Sequence, residues 1–239
     1  MELSRKDSSY IVCRGTDSKI RTSFTPELNG RGCEIAVVGL STYYSYPNVN
    51  EKNNVVWVIH SLERKEIKLP KGCYEVEDIH EVIRKTFGWT KKKEKVKLEA
   101  DPVTLRVHMK LDKDWQVYFP PQNSVAGLLG FKINQYYVGP KEFISQRIAN
   151  ILSVNNILVQ CDVISGSSIN GRPAPIIFNY SPDVSAGRKI VAEPVTPIYL
   201  PVTLDRINEL NVWVTDQDNR LLDLQEEDLV VTFHMRTRR

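Results

Sequence analysis

The sequence predicts an all-β protein: a single jelly-roll β-sandwich of two antiparallel sheets, about eight core strands, with one inserted short helix. Three observations lead there. The first is the C-terminal stretch Ile207–Arg236, which holds two runs alternating with a period of two. Leu210, Val212 and Val214 share one face, with Asn211, Trp213 and Thr215 opposite. Leu229, Val231, Phe233 and Met235 share another, with Val230, Thr232, His234 and Arg236 behind them. Successive side chains leave a pleated backbone on opposite sides, so each run is a strand with one buried face. The second is that short β-type runs recur along the chain, while clear helical spacing occurs once. The third is length. At 239 residues the chain exceeds the roughly 100 that an immunoglobulin-like domain needs, and its uneven connections do not suit an up-and-down barrel.

Taken in order, Tyr10–Cys13 is a short apolar run in a polar neighbourhood, and residues 1–23 read as an N-terminal arm or edge segment. Residues 24–239 read as the single jelly-roll domain. Phe24–Gly30 is expected to be a loop, because Pro26 and Asn29-Gly30 punctuate it. Cys33–Leu40 is a strand with Ile35 and Val37 on one face. Val55–Ile59 is β-branched and unbroken, which predicts a strand buried on both sides. Glu66–Leu69 adds a short strand. Val76, Ile79, Val82 and Ile83 then fall at helical spacing, with Glu77, Asp78, Glu81 and Arg84 opposite, giving the one clear helix, closed near Phe87-Gly88.

Val96–Leu98, Val103–Met109 and Trp115–Phe119 follow as strands, and Ser124–Phe131 as a helical turn packed under the sheets. Beyond Asn155 the pattern is β: Leu158–Ile164, Pro175–Tyr180, Lys189–Ala192 and Ile198–Val202, before the C-terminal pair. Asp216–Arg220, between the last two strands, is a run of turn formers.

Composition bounds the function. The chain is 41% hydrophobic and 26% charged with a net charge of +3, which is the make-up of an ordinary globule and too little charge to require a polyanionic partner. The polar N-terminus argues against a secretory signal, and no apolar stretch approaches the roughly eighteen residues of a membrane-spanning helix. Cys13, Cys33, Cys73 and Cys161 lack paired spacing and read as reduced thiols. Asn179-Tyr180-Ser181 fits a glycosylation pattern, but no export signal accompanies it.

No catalytic constellation emerges. His60, His80, His108 and His234 lie in separate elements, without the close spacing by which three ligands converge on one metal. There is no G-x-S-x-G, no P-loop and no dinucleotide-binding glycine motif. Glu226-Glu227-Asp228 lacks the spaced oxygen ligands of a cation loop. The reading is of a non-enzyme without cofactor or metal.

What remains is surface. Lys91–Lys97 reads first as a charged loop between strands, with phosphate contact as the alternative, and the tail Arg236, Arg238 and Arg239 as lying against a polyanion or a neighbouring subunit. Outward aromatics bury much area at little entropic cost and so mark subunit contacts. Tyr10, Tyr43, Tyr44 and Trp213 are the aromatic candidates for contact with a subunit or partner, a second covered face within the sandwich being the equal alternative, and Arg236, Arg238 and Arg239 are the basic ones.

The order of motifs resembles the minor capsid (penton) proteins of Polinton/Maverick-type elements and adintoviruses. Leu69-Pro70-Lys71-Gly72-Cys73-Tyr74 before the Ile79/Ile83 helix is similar to that family's L-P-x-G-x-Y, and Leu128-Leu129-Gly130-Phe131 to its L-G-F. Leu158–Ile164 with Gly166 and Gly171 resembles its V-Y-C-D-I strand and loop. Ile198–Val202, Ile207–Val214 and the closing Val231–Arg236 complete the series, over roughly residues 24–236. Cys33–Val37 departs from the family's W-E-V-A-L strand in lacking its tryptophan.

The resemblance implies a virion protein, a homopentamer at the five-fold vertices of an icosahedral capsid, set among double-jelly-roll major capsid proteins. It implies assembly inside the host cell, with the arm docked on the shell and weak contact with packaged DNA through the basic tracts. A closed ring built from one repeated heterologous contact is within reach of a wedge-shaped sandwich. The alternatives are a carbohydrate-binding jelly-roll module, stacking sugars on its tyrosines and Trp213, and a capsid-derived protein retained by a host.

Overall fold

The last strand, foreseen from its alternation, lies in the middle of a sheet with a partner on each side. The computed structural model describes residues 8–238. The chain begins with β1 (Ser8–Gly15), β2 (Lys19–Asn29) and β3 (Cys33–Tyr43). It then builds β4 (Val55–His60), β5 (Glu63–Lys68), α1 (Val76–Thr86), β6 (Val96–Ala100), β7 (Val107–Leu111), β8 (Trp115–Phe119), α2 (Ala126–Leu129), β9 (Gln135–Val138) and β10 (Lys141–Ile144). It closes with β11 (Ile157–Cys161), β12 (Ser168–Ile169), β13 (Arg172–Pro173), β14 (Ile176–Tyr180), β15 (Lys189–Ala192), β16 (Leu200–Pro201), β17 (Arg206–Thr215) and β18 (Leu229–Thr237).

These elements form two compact units. The first, built from both ends of the chain, is the jelly roll. One sheet runs β1-β18-β3-β15, with β16 also on β3; the other runs β14-β11-β17-β2, and all of these pairings are antiparallel. Leu229, Val231, Phe233 and Met235 of β18 are buried with Ile35, Val37 and Leu40 of β3, and with Leu210, Val212 and Val214 of β17. Each such side chain is worth about 1.5–3 kcal/mol when fully buried. A bulge between Thr232 and Phe233 re-registers β18 against β3 and keeps both inward sets on the core side.

The second unit, Pro47–Ser153, lies in the chain between β3 and β11. It has a four-stranded sheet, β5-β4-β8-β9, and a three-stranded one, β10-β7-β6. Val56 and Val58, Leu98 and Met109, and Ile79 and Ile83 of α1 share its core. At the start of α1 the Glu75 N–H donates to Asp78 Oδ2 at 2.9 Å, and the helix stops at Gly88, whose φ is +64°. Gly130, in the Leu128–Phe131 turn, has φ +78°, and a Cβ there would lie 2.2 Å from the Arg147 carbonyl oxygen. Only glycine fits that close approach.

Four expectations are corrected. Residues 24–29 are not a loop: β2 runs on to Asn29 and pairs with β17, Leu28 opposite Ile207. Val103–Met109 is not one strand, because the Asp101 carboxylate accepts the Val103 N–H (2.9 Å) and the Thr104 hydroxyl (2.6 Å). That turn delays the strand to Val107. In β4 the second face is only half-covered, at Trp57 and Ile59. Finally, Tyr44 does not project outward. It is buried in the sandwich core beside Tyr46, their ring centroids 5.2 Å apart, and its hydroxyl donates to the Val154 carbonyl at 3.4 Å.

Candidate functional site

The outer face of the β1-β18-β3-β15 sheet gathers several of the residues singled out above. Register puts Tyr10 opposite His234 and Ser8 opposite Arg236 on the β1 side, and Ala36 and Glu34 opposite the same pair on the β3 side. Tyr10 is 70% exposed and Val12, two residues on, is also exposed. Tyr199, just before β16, lies over this face. Its hydroxyl is 2.7 Å from His234 Nδ1, and the Arg236 guanidinium sits 3.6 Å from its ring centroid. Arg236 Nε donates to Glu34 Oε1 at 2.7 Å.

Arg236 is thus held by a carboxylate and an aromatic ring, with its stem fixed by the strand. Burial, and secondarily the Arg236 charge, holds His234 below the usual imidazole value, so the ring is neutral near pH 7 and hydrogen-bonds the Tyr199 hydroxyl. This face carries the Arg236–Glu34 ion pair beside the Tyr199 ring, with Tyr10 and Val12 exposed on the neighbouring strand.

The other candidates do not join it. Tyr43 ends β3, half-buried and opposite Lys189. Trp213 is half-buried on the other sheet, between Gln160 and Lys19. Arg238 is exposed, its N–H donating to the Gly32 carbonyl at 2.8 Å, and Arg239 lies outside the described residues. Lys91–Lys93 are exposed, but Lys95 pairs with Asp112 at 2.7 Å and Lys97 with Glu99. Sequence reasoning missed Tyr199 and Glu34, since a lone tyrosine in a proline-punctuated stretch and a strand-embedded glutamate carry no pattern. Only the register of β16 and β18 on β3 brings them together.

Among the described residues no three His, Cys, Asp or Glu side chains are grouped to hold a metal ion. Asp228, in the acidic run before β18, pairs with Arg14 at 3.0 Å. No helix among the described residues is long and apolar enough to cross a membrane. Cys13, Cys33 and Cys161 are buried free thiols, and burial pushes that of Cys161 up to about 12.

No protein-family model matches this sequence, and no curated protein matches it. Among solved structures the crystal structure of the selenomethionine-labelled mavirus penton protein does match. The TM-score is 0.51 at 8% identity, over 97% of this chain and 100% of that one. The likeness is one of fold. It spans the chain from end to end and so takes in both compact units.

Proposed function

We propose that the chain is a structural capsid protein, a penton subunit that closes into pentamers at the vertices of an icosahedral shell. The observation that carries this reading is the end-to-end fold likeness to a mavirus penton protein. The motif series of the Polinton/Maverick and adintovirus pentons supports it from the sequence side. In this reading the chain is not an enzyme, its work is contact, and its place is the virion. Its neighbours are copies of itself and a double-jelly-roll major capsid protein. The outer face bearing Tyr10, Tyr199 and Arg236 serves one of those contacts, and the exposed basic residues lie near the packaged DNA.

Sedimentation of the purified chain tests this directly. The expected species has a mass about five times 27.4 kDa. A monomer that stays monomeric at high concentration and fails to join shells assembled with its major capsid protein would overturn the reading.

A further inference from the structure

The second unit has four sheet edges, and three of them are blunted. β5 carries Glu63, Arg64, Lys65, Glu66 and Lys68. β10 carries Lys141 and Glu142. β6 is covered by α1: its Leu98 N–H donates to His80 Nδ1 (3.3 Å) and its Ala100 N–H to Glu77 Oε1 (3.4 Å). Charge and cover are the ordinary means of keeping a sheet edge from pairing with foreign strands. β9 (Gln-Tyr-Tyr-Val) has neither. It holds no charged residue, and it pairs only with β8.

The phase of its ladder sharpens the point. Gly139 N–H donates to the Trp115 carbonyl at 2.9 Å, and Tyr136 lies opposite Tyr118. Hydrogen-bonded positions alternate along an antiparallel pair. Residues 135, 137 and 139 therefore spend their backbone groups on β8, and Tyr136 and Val138 direct theirs away from the sheet. The same two side chains are exposed, at 56% and 49%.

Tyr136 is also the open end of a stack. Its ring lies 4.3 Å from that of Tyr118, which lies 5.0 Å from that of Trp57, each pair tilted by about 30°. The far face of Trp57 is capped by the guanidinium of Arg64, 2.8 Å from the ring centroid. A row of planar groups crosses the sheet and stops at the bare strand.

We infer that β9 is a strand-addition site for an extended, uncharged polypeptide segment from another protein, one that sets an aromatic side chain beside Tyr136. An extended backbone, laid alongside, takes the place of water on the outward N–H and C=O groups of Tyr136 and Val138 together. Only a planar side chain continues the stack. This inference stands apart from the capsid reading, since it rests on the second unit's own ladder.

Amide hydrogen exchange of the full chain tests it. The probe is a blocked heptapeptide of alternating threonine and valine with a central tyrosine, compared with the same peptide carrying a central serine. The expected result is saturable slowing of exchange at the Tyr136 and Val138 amides, with the tyrosine peptide binding roughly 3–10-fold more tightly. Tyr136→Ser should erase the difference between the peptides while leaving strand addition, and Val138→Lys should abolish binding of both. No slowing at β9 up to the peptides' solubility limit would overturn the proposal, as would equal slowing in Val138→Lys. A fall in the mass of the chain alone on Val138→Lys would assign the edge to a second copy and overturn it too.

Discussion

Tyr199 and His234 meet at 2.7 Å on the outer face of the sandwich, hydroxyl to imidazole Nδ1. Tyr199 immediately precedes β16 and His234 lies on β18, two strands that each pair with β3. The contact fastens the segment before β16 across the sheet, and Arg236 stacks on the same tyrosine.

The His234 pKa is lowered, by burial first and Arg236 second. The unfolded chain therefore takes up this proton more readily than the folded one. Stability tied to His234 is present above the unfolded value, near pH 6.5, and is lost as pH falls through the lowered folded value. Melting temperature measured between pH 8 and 5 should fall on the acid side, and His234→Gln should flatten that slope. An unchanged slope would refute the assignment.

Phe233 is fully buried between the sheets. Phe233→Ala should destabilise the sandwich by roughly 3–5 kcal/mol, through lost transfer energy and the cavity left behind. A denaturant midpoint shifted by much less would mean the core collapses onto the gap.

Asp216 holds the turn between β17 and β18. Its Oδ1 accepts the N–H groups of Asp218 and Arg220, both at 2.9 Å, and its Oδ2 accepts Arg220 Nε at 2.7 Å. Asp216→Ala should cost roughly 2–3 kcal/mol, at about 1 kcal/mol net for each bond lost. Asp216→Asn, which keeps one acceptor, should lose less. Urea titration of the two variants side by side checks the order.

Gly130 sits at φ +78° with the Arg147 carbonyl in the place a Cβ would occupy. Gly130→Ala should cost about 2 kcal/mol or more, since strained backbone and displacement of a carbonyl add. Gly127, with nothing near its Cβ position, provides the control: Gly127→Ala should be neutral or mildly stabilising. Thermal melts of both variants decide.

Burial raises the thiols of Cys13 and Cys161, the latter to about 12. The thiolate is the reactive form. Iodoacetamide at pH 8 should leave both unmodified in the folded chain and alkylate them in denaturant, as read by peptide mass.

The strands most legible in the sequence were those with one buried and one half-covered face. β17 and β18 alternate cleanly because the core demands it, and α1 shows because Val76, Ile79 and Ile83 are buried at helical spacing with Val82 packed beside them. β2 was hidden, since on a sheet edge Ile20 is its only buried side chain and the polar residues around it read as a loop. The Tyr199–His234–Arg236 cluster was illegible for another reason. Its members are joined through register on β3, and hydropathy carries no trace of register. The stack of Trp57, Tyr118 and Tyr136 was masked the same way, because an unbroken apolar run does not say whether its second face is covered.

The ends of the second unit are tied together. Asn48 Nδ2 donates to the Ile151 carbonyl at 2.9 Å, just inside the points where the chain leaves the sandwich and comes back. Closing a flexible loop of about a hundred residues costs on the order of 4 kcal/mol of chain entropy. The Asn48–Ile151 bond brings the two ends of that loop to one point, so part of that cost is met inside the second unit. Changes of length within residues 47–153 that keep this bond are expected to leave the pairings of β3 and β11 in the sandwich intact.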